Sequence, residues 1–124
     1  LHDVRKGMMM FQKVNVPLLG IVENMSYFLC GHCGERTEIF SHGGGERAAA
    51  TLGIPFLGRI PIDPAIRDGG DSGNPIVVAN PASPQSAAFR EIAQKIIAQV
   101  TGTAKGVPPI ESLLSKIKNP FAKT

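Results

Sequence analysis

Three short apolar runs limit the architecture open to this chain more than any other feature. Residues 18–22 (Leu-Leu-Gly-Ile-Val), 55–60 (Pro-Phe-Leu-Gly-Arg-Ile) and 76–79 (Ile-Val-Val-Ala) are each strand-sized, mostly continuous and bounded by polar or breaker residues. That pattern is expected of strands buried on both faces. Helical signals separate them. Asp3 can cap a helix whose Val4, Met8 and Phe11 fall on one face, and Gly43-Gly44-Gly45 opens a helix over about residues 46–52 that Gly53 stops. Asp63-Pro64 starts a brief helix over residues 65–67 ahead of a Gly69-Gly70 break. Ser83-Pro84 repeats the cap-and-proline device before Phe89, Ile92, Ala93, Ile96, Ile97 and Val100, which hold helical spacing. Strands alternating with helices require crossovers, so the chain is expected to be α/β, a parallel sheet with helices on both faces. Ligands in such sheets sit beyond the carboxyl ends of the strands, where Glu23-Asn24 and Pro61-Ile62-Asp63 fall.

At 124 residues and 43% hydrophobic content the chain suits one domain with a real core. The formal charge of +3 is unevenly spread: residues 1–100 carry nine Lys/Arg against nine Asp/Glu, and the last 24 carry four Lys and one Glu. A balanced body with a basic tail does not make the clustered footprint that nucleic acid requires, so no nucleic-acid partner is expected. No apolar run approaches the ~18 residues of a membrane span, and no membrane partner is expected. Residues 101–124 read as a linker and basic tail in which Leu113, Leu114 and Ile117 could line a short helix. Position 1 is Leu, and the chain is expected to be a processed or partial product.

Several motifs tempt. Gly70-Asp71-Ser72-Gly73 copies a serine-protease nucleophile segment, but a parallel α/β chain of this size does not supply the β-barrels that carry that triad; Asp71 fits a turn and Asp63 a helix cap. His42-Gly43-Gly44-Gly45 resembles an esterase oxyanion loop, yet no Gly-x-Ser-x-Gly elbow follows. The same glycines are not a phosphate loop, because the sequence holds no Gly-Lys dipeptide, and ATP hydrolysis by these residues alone is not expected.

The two cysteines form a single pair, Cys30-Gly31-His32-Cys33, which points to a reducing compartment. A dithiol redox centre needs its first cysteine at a helix amino terminus, where the dipole favours the thiolate. Here Gly34 follows and Thr37-Glu38-Ile39-Phe40 looks extended, and the chain has no Trp before the pair. A structural zinc site wants four N/S ligands, with His32 and His42 as the nearby candidates. A four-iron cluster wants four thiolates, twice what one chain owns, and a twofold contact between two copies would supply them. On residue chemistry alone, redox pair, zinc knuckle, shared cluster and inert thiols all remain open.

The order of blocks narrows the choice. Asp3-Val4-Arg5-Lys6-Gly7, V-P-L-L-G-I-V-E-N-M-S-Y-F, the C-x-x-C, I-F-S-H-G-G-G-E-R, P-F-L-G-R-I-P-I-D-P-A-I-R and G-G-D-S-G-N-P-I-V together closely resemble the Mrp/ApbC family of iron–sulfur cluster carriers, from about residue 3 to residue 100. The resemblance implies a MinD-like P-loop ATPase fold, of which residues 1–100 look like the carboxyl-terminal half, without the Walker A loop. It implies a homodimer that shares a 4Fe-4S cluster between its subunits, through Cys30 and Cys33 here, and delivers it to apo recipient proteins. It also implies ATP and magnesium in the full-length protein, with Asn24 at the adenine and Pro61 and Asp63 forming part of the base pocket. A cytoplasmic location, or a mitochondrial matrix one, goes with that assignment.

Overall fold

Parallel pairing of two strands supplies the frame on which the cysteine-bearing segment stands. The computed structural model describes residues 2–102, in which the elements run α1 (His2–Lys13), β1 (Ile21–Glu23), β2 (Phe28–Leu29), β3 (Arg36–Thr37), α2 (Gly44–Leu52), β4 (Phe56–Arg59), α3 (Pro64–Ser72), α4 (Ile76–Ala79) and α5 (Pro84–Thr101). The chain divides into two compact units, the first ending at Ile62 and the second beginning at Asp63. The tail expectation, a short helix near Leu113, Leu114 and Ile117, lies outside the described residues.

In the first unit β1 and β4 pair in parallel, Ile21 opposite Phe56 and Glu23 opposite Arg59, as the alternation of strand and helix requires. The strands are shorter than the apolar runs that contain them. Leu57 and Ile60 point into the core together with Ala48 and Ala49 of α2, whose small side chains let the helix approach the strands closely. Helix α2 stops at Gly53, a left-handed residue whose N–H returns to the carbonyls of Ala49 and Ala50. Between β1 and α2 the chain makes a small antiparallel hairpin, Phe28 opposite Thr37 and Leu29 opposite Arg36. The hairpin is tied back to the chain after β4, where Phe28 bridges Ile62 and the Ile62 N–H donates to the Tyr27 carbonyl at 2.7 Å.

The second unit corrects the sequence reading in three places. Residues 76–79 are helix α4, not a third buried strand. The Ala79 N–H donates to the Pro75 carbonyl at 2.9 Å and the Asn80 N–H to Ile76 at 2.8 Å, while Ile76 is buried and Val78 is 61% exposed. Burial on one side of a four-residue apolar run fits a helix turn, and periodicity alone does not separate the two cases. Helix α3 does not break at Gly69-Gly70 but continues to Ser72 and ends at left-handed Gly73, so Asp71 lies in its last turn and not in a connecting turn. The cap is as expected: the Asp63 carboxylate accepts from the Ala65 N–H at 2.8 Å. Helix α5 matches its pattern, with Ser83 accepting the Ser86 N–H at 3.1 Å and the fully buried Ser86 hydroxyl within 2.9 Å and 2.7 Å of the Ile76 and Asn80 carbonyls.

Gly69 is kept in α3 by the close approach of the chain that follows. A β-carbon there would sit 2.6 Å from the Asn74 carbonyl oxygen, which is backbone and cannot swing away. Alanine in a helix interior normally gains about 1 kcal/mol over glycine. Gly69→Ala is nevertheless expected to destabilise by about 1–3 kcal/mol, the cost of overpacking, and a shift of the thermal midpoint downward in circular dichroism checks the sign. No helix among the described residues is long and apolar enough to cross a membrane.

Candidate metal centre

Cys30 directly follows β2, and Gly31, His32, Cys33 and Gly34 form the turn that returns the chain toward β3. The turn closes through the Cys30 carbonyl, which accepts the Gly34 N–H at 2.8 Å, and through the Cys30 N–H, which donates to the Glu35 carbonyl at 2.9 Å. Gly34 adopts a left-handed backbone, φ 73°, where a side chain would be strained. The backbone N–H of Cys33, then that of His32, then the Cys33 thiol point at the Cys30 sulfur, and together they outweigh desolvation and hold its pKa below the usual thiol value. Cys30 is partly buried and Cys33 exposed. No helix begins at the pair, so the dipole that activates a redox dithiol is missing here.

Residues the sequence did not single out fix the hairpin. Arg36, opposite Leu29, lays its guanidinium 3.9 Å from the centre of the Tyr27 ring and donates to Glu38 Oε1 at 2.7 Å from Nε. His42 Nδ1 meets the same oxygen at 3.2 Å, and Glu38 Oε2 is buried without a hydrogen-bond partner among the described residues. Among those residues no group of three or more His, Cys, Asp and Glu converges. His32 and His42 are therefore not gathered with the cysteines into a four-ligand zinc site. Two thiols on an open turn, with no third ligand gathered beside them among the described residues, fit half of a four-thiolate site.

Glu23, which the sequence places at the carboxyl end of β1 without a role, gathers a second network. Its carboxylate accepts the Gly45 N–H at 2.7 Å, the Ser26 hydroxyl at 2.8 Å and Arg59 Nε at 3.2 Å, and Arg59 also pairs with Glu46. Gly43, the α2 N-cap, offers no side chain, so Glu23 satisfies that helix end from another element. Burial pushes the Glu23 pKa up, but the Gly45, Ser26 and Arg59 hydrogen bonds and the Arg59 charge outweigh it, leaving the pKa lowered. The sequence signal was a carboxylate at a strand end, with nothing to say what it would meet.

Beside this network lies a cleft of about 420 Å³ bordered by Val22, Asn24, Met25, Phe40, Ser41 and Gly44 among others. Met25 and Ser41 both have left-handed backbones, φ 55° and 74°, at a cost of roughly 1–3 kcal/mol each. Of the three residues expected at a nucleotide base, only Asn24 lines this cleft. It is exposed, and its side-chain oxygen accepts the Met25 N–H at 2.9 Å, which leaves the amide donors free. Pro61 is fully buried, and Asp63 uses one carboxylate oxygen on the α3 cap and the other on Gln85.

Comparison with known proteins follows the same lines. Residues 1–97 match the ParA family model, described as NUBPL iron-transfer P-loop NTPase. The iron-sulfur cluster transfer protein NUBPL of Dictyostelium discoideum is 51% identical over 100 residues, which are 81% of this chain and 31% of that protein. Among solved structures, a nucleotide-binding protein from Archaeoglobus fulgidus, in complex with ADP, aligns with a TM-score of 0.55 at 36% identity over 69% of this chain and 34% of its own. The Pyrococcus furiosus cell division ATPase MinD aligns with a TM-score of 0.58 at 30% identity over 79% of this chain and 37% of its own. The chain thus has the α/β P-loop NTPase fold in part, and it spans about a third of the length of the curated relatives it matches.

Proposed function

The chain belongs to the ParA family of NUBPL-type iron-transfer P-loop NTPases, and from that premise we propose that it is the cargo-holding part of an iron–sulfur cluster carrier. Cys30 and Cys33 bind a 4Fe-4S cluster that bridges two copies of the chain, and the cluster is passed to apo recipient proteins. The observation that carries this reading is the exposed turn with two thiols and no third ligand gathered beside them among the described residues. A four-iron cluster needs four sulfur ligands, so a second copy must bring the other two. A ligand set split between subunits also suits a carrier, because separating the subunits releases half of the bonds at once.

In the full-length protein the same fold binds ATP and magnesium, with the missing Walker A loop supplied outside these residues. Asn24 faces the base with its free amide donors, which suit an acceptor nitrogen on adenine. Of the three residues the resemblance places at the base, Asn24 is the one this reading assigns to it: Pro61 is fully buried, and the Asp63 carboxylate is engaged by the Ala65 N–H and by Gln85.

Anaerobic reconstitution with iron and sulfide tests the assignment. The wild-type chain is expected to take up iron and sulfide in equal amounts, gain a broad visible charge-transfer band and run as a dimer. A Cys30→Ala/Cys33→Ala double variant is expected to lose all three. Equal iron and sulfide in the two proteins overturns the reading, and a colourless dimer carrying one zinc replaces it with a zinc-linked interaction module.

A further inference from the structure

The hairpin that carries the two thiols is too short to keep its own shape. Its ladder has two residue pairs, Phe28 with Thr37 and Leu29 with Arg36, continued by the Cys30 N–H to the Glu35 carbonyl at 2.9 Å. A hairpin of that length is not stable in water without further support. The β2 arm gets it from the chain after β4, through Phe28, Tyr27 and Ile62. On the β3 arm it comes from side chains centred on Arg36. The Arg36 guanidinium carbon lies 3.9 Å from the centre of the Tyr27 ring, and its Nε and Nη2 both reach Glu38 Oε1, at 2.7 Å and 2.6 Å. His42 Nδ1 meets the same oxygen at 3.2 Å, just ahead of α2. One guanidinium therefore links the residue before β2, its own strand and the segment that leads to α2. Arg36 also stands opposite Leu29, the residue that precedes Cys30, so it grips the hairpin where the turn springs from the strands.

We propose that Arg36 is a positioning residue for the cluster: its grip on Tyr27 and Glu38 holds the two arms in register, and that register fixes where the Cys30 and Cys33 side chains stand. This rests on the cluster-carrier reading above. A bridging four-iron cluster takes only two ligands from each copy, so a turn that frays loosens every bond on its side at once. Arg36 acts through the strands, because its guanidinium is spent on Tyr27 and Glu38. Lysine is no substitute, since stacking on a ring while aiming two N–H groups at one oxygen takes a planar fork and not a point charge.

Two measurements test the assignment, one on the metal-free chain and one on the loaded chain. Without metal, the Cys30 and Gly34 amides, which donate to the Glu35 and Cys30 carbonyls, are expected to exchange hydrogen about tenfold faster in Arg36→Ala. That is the factor a lost cation–π contact and a lost ion pair produce together. The Ile54 amide, bonded to Ala49 at the end of α2, is expected to keep its wild-type rate. Unchanged exchange at Cys30, or equal acceleration at Ile54, overturns the inference and leaves the carrier reading intact. After anaerobic reconstitution, Arg36→Ala is expected to take up iron and sulfide but to lose iron to excess EDTA about tenfold faster than wild type. The visible circular dichroism of its cluster band, which reports ligand geometry, is expected to change. Gly69→Ala, destabilised in the other unit, is expected to match wild type in both respects, and Arg36→Lys to stay closer to the alanine variant. Wild-type release with an unchanged band in Arg36→Ala, equally fast release in Gly69→Ala, or full recovery in Arg36→Lys overturns the inference. Should Arg36→Ala fail to fold, Tyr27→Leu removes the ring alone, and wild-type release in that variant overturns it as well. A wild-type chain that takes up no iron and sulfide overturns the carrier reading, and the cluster role of Arg36 goes with it.

Discussion

Replacing Glu23 by alanine is expected to lower the unfolding free energy by about 2–3 kcal/mol, somewhat below the usual cost of breaking a buried ion pair. The discount follows from what remains. Arg59 is 24% exposed and keeps Glu46, so its charge is not stranded. The Gly45 N–H at the start of α2 and the Ser26 hydroxyl do lose their acceptor, and Gly43 has no side chain with which to replace it. Urea unfolding followed by far-ultraviolet circular dichroism measures the loss as a lower midpoint at similar slope. The acid limb gives an independent check. Glu23 has a folded pKa below its ordinary 4.5, so the stability it contributes is fully present above about 4.5 and is lost as pH falls through the lower folded value. Glu23→Gln, which keeps the shape and an acceptor oxygen but not the charge, is expected to flatten that limb. If the variant's acid dependence matches that of the wild type, the network is not what stabilises the protein there.

Gly20→Ala is expected to cost a similar 2–3 kcal/mol for a steric reason. A β-carbon at Gly20 would lie 2.6 Å from Leu57 Cγ and 2.6 Å from the Pro55 carbonyl oxygen. Leu57 is only 4% exposed, so it has no free space to retreat into, and the Pro55 carbonyl is held by the Ile21 N–H at 2.9 Å. Relief on either side therefore breaks core packing or the bond that begins the β1–β4 pairing. Thermal unfolding of Gly20→Ala should show a midpoint several degrees lower, and an unchanged midpoint would mean that β1 and β4 are not packed this closely. A Leu57→Ala change added to it should not rescue the protein, because it opens a cavity and leaves the carbonyl contact in place.

How much was legible in advance differs between particular segments. Asp63 and Ser83 as caps, Gly53 as a stop and the face of α5 could be read directly, because capping and helical periodicity depend on residues within one or two turns. Residues 76–79 could not, since four consecutive apolar residues fit a strand or a helix turn equally and only the one-sided burial of Ile76 decides between them. Gly69-Gly70 looked like a break because propensity disfavours glycine in helices. The close approach of the Asn74 carbonyl, invisible from local sequence, makes glycine necessary there.

The site divides along the same line. Amino-acid order by itself determined the chemistry on offer: two thiols three positions apart, flanking glycines, and an asparagine at a strand end, together with the family to which that order belongs. Tertiary structure alone decided that the extended segments around the cysteines pair into a hairpin tied to Ile62, that Glu23 reaches 22 positions along the chain to Gly45, and that Arg36 locks the hairpin through Tyr27 and Glu38. It also left Cys30 partly buried and Cys33 exposed. Residue types and short spacings are local quantities that a sequence carries in full, whereas hydrogen bonds to a sulfur or a carboxylate depend on which distant backbone groups folding brings within about 3 Å.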